Sequence, residues 1–391
     1  VDEGALCEDG LELGMSAGLN CAVAEGASPG NTEASRSMYF SVNRVGQKAR
    51  WYLPDNTWLN GRVRCRSNVN GTCNAYWNGS INMYRAGSGC GNTSTINGVV
   101  THEWGHGMDQ NDGGGYDNPS EAYADVVAIF ETRESCVGRG FYSDGRTCSG
   151  YGDNCLTCTG IRDMDYTARE SGTPATPTNF NEARCGSGGG VCGKEVHCES
   201  YVPSEALYDL AARDLPAAGL DAATAWQLAE RLFYETREGS TGDVYNCSLP
   251  DSDSCGSGTW YHRMRVADDE DGDLSNGTPH AAALFAAFDR HDIACGAASD
   301  PENQSTSSCP SLAAPAVTAK PLTNAVELSW DPVPDAGAYV IHRADIACDR
   351  SFTPIARIDA SQTTYTDDEL VNDFTVHYRV QAFGENAACS G

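Results

Sequence analysis

An α+β domain followed by a small all-β sandwich is the fold class predicted for this chain of 391 residues. Three observations predict it. Strand-like runs between residues 63 and 87 give way to several segments of helical period with recognisable starts. A polar, Ser-rich stretch, GAASDPENQSTSSCPS (296–311), then breaks the pattern and reads as a linker. From Leu312 onward only alternating β-type runs separated by turn signals remain. The expected division is a larger domain over 1–295, a linker over 296–311 and a β-sandwich over 312–391.

Each element follows from its local pattern. TEASRSMYFSVNRVGQKARWYL (32–53) is a long helix candidate. VRCRSNVNGTCNAYWNGSINMYRAG (63–87) reads as strands joined by Asn-Gly turns. NGVVTHEWGHGMDQ (97–110) is helical again. NPSEAYADVVAIFETR (118–133) has a marked start, with Asn118 as N-cap, Pro119 in the first helical position and Glu121 where a capping box places it. Further helices are predicted at 203–215, 221–238 and 278–291, the last again opening on Thr-Pro. Strands first and helices after make an α+β arrangement with a C-terminal helical part. In the sandwich the strand runs are AVELSW, AYVIHR and TVHYRVQAF.

Composition narrows the function classes. The net charge of -28 argues against nucleic acid and against anionic membrane surfaces as partners, and favours solubility and divalent cations. No apolar run is long enough to span a bilayer, so a membrane-spanning protein is not expected. Eighteen cysteines, an even number, point to disulfides and an oxidising compartment, hence a secreted, extracellular protein. Close pairs predict bridges Cys65/Cys73, Cys247/Cys255, Cys295/Cys309 and Cys348/Cys389, and Cys155 with Cys158 reads as a local disulfide. The start at Val1 reads as a processed form with leader and pro-segment removed.

His102-Glu103-Trp104-Gly105-His106 is an HExxH. On a helix the two histidines lie four residues apart, on one face, where both imidazoles reach one ion at roughly 2.0–2.1 Å. Glu103 sits one residue round, placed to contact a water rather than the metal. A catalytic zinc needs a third protein ligand and one open position. Glu121 is the best candidate: it begins a separate helix after a Gly-rich loop, DGGGYDNP, that turns the chain back. Asp125, four residues on and on the same face, could accept the free ring N–H of a ligand histidine. Asp112, six residues past His106, is a rival third ligand on the metzincin pattern, but Asp109 stands where that pattern turns on a glycine.

HEWGH, the SEAYAD helix and NAYWNGSINMY (74–84) resemble the thermolysin-like and fungalysin-like gluzincins, over roughly 32–295 with gaps. The resemblance implies a zinc metalloendopeptidase made as a zymogen and often dependent on calcium. It implies that Asn74 and Ala75 hydrogen-bond substrate backbone on an edge strand. It implies that His197 stabilises the tetrahedral oxyanion, with Tyr116 as a second donor. The interval from His106 to Glu121 is shorter than in thermolysin, so specificity is not carried over. The C-terminal strand order resembles a fibronectin type III domain.

Asp269, Asp271 and Asp273 around Gly272 suit a calcium ion as alternating carboxylates on a turn, although an EF-hand's later glutamate is missing. The expected cofactors are therefore Zn2+ and Ca2+, the expected partner a polypeptide substrate, and the expected state a monomer. The sandwich is a candidate binder of matrix, cell surface or polysaccharide. The competing reading is a catalytically inactive, zinc-stabilised adhesive or matrix-binding protein; the intact HExxH with Glu121 favours the enzyme, because a structural zinc more often takes four protein ligands.

Overall fold

A computed structural model describes residues 6–7, 32–237, 242–345, 352–368, 370, 372–386 and 388–389. The first long helix, α1 (Glu33–Tyr52), starts where Thr32 Oγ1 accepts the N–H of Ser35 at 3.3 Å. Glu33 in its first turn and Arg50 in its last complement the helix dipole. Met38, Val42, Val45 and Ala49 form its buried stripe. Strands β1 (Leu6–Cys7), β2 (Val63–Val69), β3 (Ala75–Trp77) and β4 (Ile81–Tyr84) make one sheet in the order β1-β2-β4-β3. β2 and β4 run parallel, and β3 pairs antiparallel with β4, which leaves β3 at the sheet edge among the described residues.

Two helices carry the centre of this unit. α2 (Asn97–Asn111) and α3 (Ser120–Thr132) pack side by side. Between them Gly113 (φ 102°) and Gly115 (φ 96°) adopt the left-handed conformation that reverses the chain. α3 is buried on every side, from Ala122 through Phe130. Each large apolar side chain so enclosed contributes about 1.5–3 kcal/mol relative to exposure. The predicted start of α3 is corrected. Pro119 is the N-cap, without a side-chain cap bond. Asn118 instead sits in a two-residue parallel ladder opposite Asp243 and donates its side-chain amide to that carboxylate. Glu121 is turned to the histidines, so no capping box forms.

Downstream, α4 (Val196–Glu199) and α5 (Tyr201–Asp209) follow each other closely, and α5 widens into a π-turn over Leu210–Asp214. The helix predicted from 221 is found at Ala222–Glu235, capped by Asp221, and the one predicted from 278 at Ala281–Asp289. A further helix, Trp260–Asp268, lies outside the segments expected to be helical; Trp260, Tyr261 and Met264 on its apolar face are buried.

The described disulfides follow a different pairing from the one expected. Cys73 pairs with Cys90, Cys192 with Cys247, Cys255 with Cys295 and Cys309 with Cys389, correcting the expected Cys65/Cys73, Cys247/Cys255 and Cys295/Cys309 bridges. Cys65 is also disulfide-bonded. Cys348 lies outside the described residues, and its expected partner Cys389 is held by Cys309. The expected local Cys155–Cys158 bond is absent: Cys155 joins Cys148 and Cys158 joins Cys136. Tertiary proximity decides these pairs, one of which closes 80 residues of chain.

The chain divides into two compact units, one of Val1–Met264 with Ala283–Gly296, the other of Arg265–Ala282 with Ala297–Gly391. In the second unit two three-stranded antiparallel sheets are described. One orders Thr318–Leu322, Ala325–Ser329 and Thr364–Asp367; the other orders Thr353–Asp359, Ala338–Ala344 and His377–Phe383. Leu328, Trp330, Tyr339, Ile341, Val380 and Ala382 form its core. From Ala297 the polar stretch 296–311 is tied into this unit, through Cys309–Cys389 and a bridge between Ser305 and Thr278.

Candidate metal centre

His102 and His106 project from one face of α2, and Glu121 meets them from the first turn of α3. Glu121 Oε2 lies 3.3 Å from His102 Nε2, and its Oε1 lies 3.3 Å from His106 Nε2. One ligand atom from each of the three falls within 4.8 Å of the others, and no other such cluster of His, Cys, Asp and Glu occurs among the described residues. What permits this approach is Gly105, in the middle of the motif: a Cβ there would stand 2.8 Å from Ala124 Cα.

Asp125 stands behind the cluster, fully buried. Its Oδ1 lies 3.0 Å from His102 Nδ1, and its Oδ2 accepts the hydroxyl of Ser200 at 3.0 Å. The guanidinium of Arg162 donates to Asp125 Oδ1 at 2.8 Å and to Glu121 Oε2 at 3.2 Å. Arg162 was not anticipated from sequence. It is delivered by a two-residue ladder, Cys136–Val137 against Arg162–Asp163, in a loop held by Cys136–Cys158 and Cys148–Cys155. No local pattern marks such a residue, because the loop's path is decided by disulfides.

Charge accounts for the pairing. Burial alone would raise the carboxyls, yet His106 and His102 hold Glu121 well below the usual range, and Arg162 with His102 lowers Asp125. Burial would likewise lower His102, but Asp125 and Glu121 outweigh it and hold the imidazole up to about 10. The two buried carboxylates thus favour positive charge at His102. Two imidazoles and one carboxylate, with the second carboxylate on the far nitrogen of His102, fit a zinc ion. Glu103 is buried beside them, and burial raises its carboxyl above the ordinary value, partly opposed by His102 and His106.

The cluster forms the floor of a cleft of about 640 Å³. Asn74, Ala75, Tyr76, Trp77, Tyr116, Phe141, Tyr142 and Ile161 also line it. Ala75 opens β3, at the sheet edge among the described residues, and Asn74 precedes it. Tyr116 is half exposed, 47 %, beside Trp77. His197, at the start of α4, reaches the same cleft, with Nε2 3.2 Å from Glu121 Oε1. Its Nδ1 is 2.5 Å from Glu195 Oε1, a partner that sequence reading missed.

Two other acidic groups stand apart from this cluster. Asp112 is buried at the C-terminus of α2, accepts the N–H of Gly114 at 3.3 Å and is not among the gathered donors. The turn after α2 carries it away from the imidazoles. Asp269, Asp271 and Asp273 are in the second unit, and each carboxylate accepts the N–H two residues on, at 3.2, 2.9 and 3.0 Å. Their oxygens do not converge as the metal donors do.

No family model matches the chain and no curated protein matches it. Among solved structures, the chain is similar to the precursor of protealysin, a metalloproteinase from Serratia proteamaculans, at 17 % identity over 71 % of this chain and 83 % of that one, with a TM-score of 0.41. It is similar to the M60 catalytic domain of Clostridium perfringens ZmpC, solved with the sialyl T antigen, at 12 % identity over 92 % and 62 % of the two chains, with a TM-score of 0.28. A fibronectin type III-like protein from Clostridium thermocellum matches 20 % of this chain and 81 % of its own at 26 % identity, with a TM-score of 0.18. All three scores are low, and the chemistry of the cleft is read from its own residues.

Proposed function

We propose that the chain is a secreted, zinc-dependent endopeptidase of the gluzincin type. One observation carries the reading: His102, His106 and Glu121 bring their donor atoms together at the floor of a cleft with Glu103 beside them and an edge strand along its side. Zinc held by those three residues would supply Lewis acidity to a peptide carbonyl and to an attacking water.

The chain's own residues do the rest. An extended substrate adds to the free edge of β3 and is held through Asn74 and Ala75. Glu103 takes the proton of the attacking water and passes it to the leaving amine. His197 Nε2 and the Tyr116 hydroxyl donate to the developing oxyanion. Asp125 sets the His102 tautomer so that Nε2 faces inward, and Arg162 balances the two carboxylates. Seven disulfides among the described residues, and no described helix long and apolar enough to cross a membrane, support the extracellular assignment. The sandwich is the part proposed to bind matrix, cell surface or polysaccharide.

The test combines metal analysis with cleavage of casein and a quenched peptide library, with and without chelator. Glu103→Gln should keep about one zinc per chain while losing turnover by several orders of magnitude. Normal turnover in that variant sinks the mechanism. Zinc without any cleavage in the unaltered protein points to the adhesive reading.

A further inference from the structure

Tyr151 stands in the left-handed region, at φ 55° and ψ 40°, between Gly150 (φ 50°) and Gly152 (φ 86°). For a bulky residue this conformation is an outlier that persists only where the surroundings over-determine it, and such outliers collect at functional sites. Here the surroundings are the Cys148–Cys155 disulfide, which closes the turn, and the ring of Tyr201, met edge to face at 6.2 Å. Burial does not force the conformation, since Tyr151 remains 37 % exposed.

Held this way, Tyr151 Oη donates to Glu195 Oε2 at 2.9 Å. The same carboxylate caps α4. Its Oε1 accepts from the N–H of His197 at 3.3 Å and its Oε2 from the N–H of Cys198 at 3.1 Å. Oε1 also lies 2.5 Å from His197 Nδ1. Both oxygens of Glu195 are therefore engaged twice. Capping alone would need only the two amides; the imidazole and the phenol are additional. Fixing Glu195 from one side by the phenol and from the other by the helix start leaves the His197 ring one orientation, with Nε2 turned into the cleft.

We propose that Tyr151 is a positioning residue for His197, acting through Glu195, and that the disulfide-closed turn 148–155 exists to present its hydroxyl. The inference rests on the peptidase reading. His197 is assigned a bond that strengthens only as the oxyanion forms, so loosening its ring lowers kcat and spares KM.

The experiment compares four metal-loaded proteins on one quenched peptide: unaltered, Tyr151→Phe, His197→Ala and the double variant. Tyr151→Phe keeps the ring against Tyr201 and removes only the hydroxyl. It is expected to lower kcat roughly tenfold with KM and zinc content unchanged. In the His197→Ala background the same change is expected to do nothing further. Glu195→Gln, which keeps an amide oxygen for the cap, should follow Tyr151→Phe. A proton spectrum should also show the His197 imidazole resonances moving in Tyr151→Phe.

Unchanged kcat in Tyr151→Phe, or an equal fall with and without His197, overturns this inference and leaves the peptidase reading standing. Failure of the unaltered, zinc-loaded protein to cleave any peptide overturns that reading and this inference together.

Discussion

Gly105 of α2 and Ala124 of α3 touch backbone to backbone: a Cβ added to Gly105 would lie 2.8 Å from Ala124 Cα and 3.3 Å from Val127 Cβ. Helices separated by ordinary side chains stand farther apart. This contact brings Glu121, three residues before Ala124, within reach of histidines on either side of Gly105.

Gly105→Ala should therefore weaken both the fold and the metal site. Overpacking of a close contact costs about 1–3 kcal/mol, and the relief available is separation of the two helices that carry the donors. Denaturant unfolding of the zinc-free protein measures the first effect. Zinc affinity by chelator competition measures the second, and it should fall at least tenfold. Unchanged affinity would mean that the helix spacing does not set the site.

Asp125→Asn should lower zinc affinity by roughly 10–100-fold while His102, His106 and Glu121 remain in place. The buried carboxylate at 3.0 Å from His102 Nδ1 holds the ring and adds negative charge behind it. An amide of the same shape keeps the packing but not the charge. Competition with a chromophoric chelator at fixed pH checks the value.

Stability should decline between about pH 4 and pH 7 through Asp112. Burial, with Asp117 nearby, pushes its carboxyl from 3.8 up to about 7, opposed by the N–H of Gly114 and by Arg237 and Arg263. The folded state therefore holds a proton that the unfolded chain has released, and stability falls as pH rises across that window. Asp109, raised to about 9 by burial and by Asp117, extends the decline upward. Asp112→Asn mimics the protonated form. It should be at least as stable as the unaltered protein at pH 8 and should flatten the slope between pH 5 and 7. Denaturation midpoints across that range in the two proteins decide it.

How much of the site was legible follows from the range over which each signal acts. His102 and His106 share a face because helical periodicity fixes it within four residues. Glu121 and Asp125 were legible for the same reason, once a Gly-rich turn implied that the second helix doubles back. The role of Asn74 and Ala75 came from a resemblance; the structure puts Ala75 in the outer strand β3, with Asn74 just before it. Asn118 misled as an N-cap, because it is held in a parallel ladder opposite Asp243, 125 residues away, and the helix begins after Pro119.

The sequence by itself determined the order of the main helices and strands, the change of texture before the sandwich, and the donors spaced by helical period, since all of these are local. Only the tertiary structure decided which cysteines pair, that Arg162 bridges Glu121 and Asp125, and that Tyr151 reaches His197 through Glu195. The physical reason is the same in each case. Most of these relationships join residues far apart in sequence, on loops whose course is set by disulfides and packing rather than by any repeating pattern of their own.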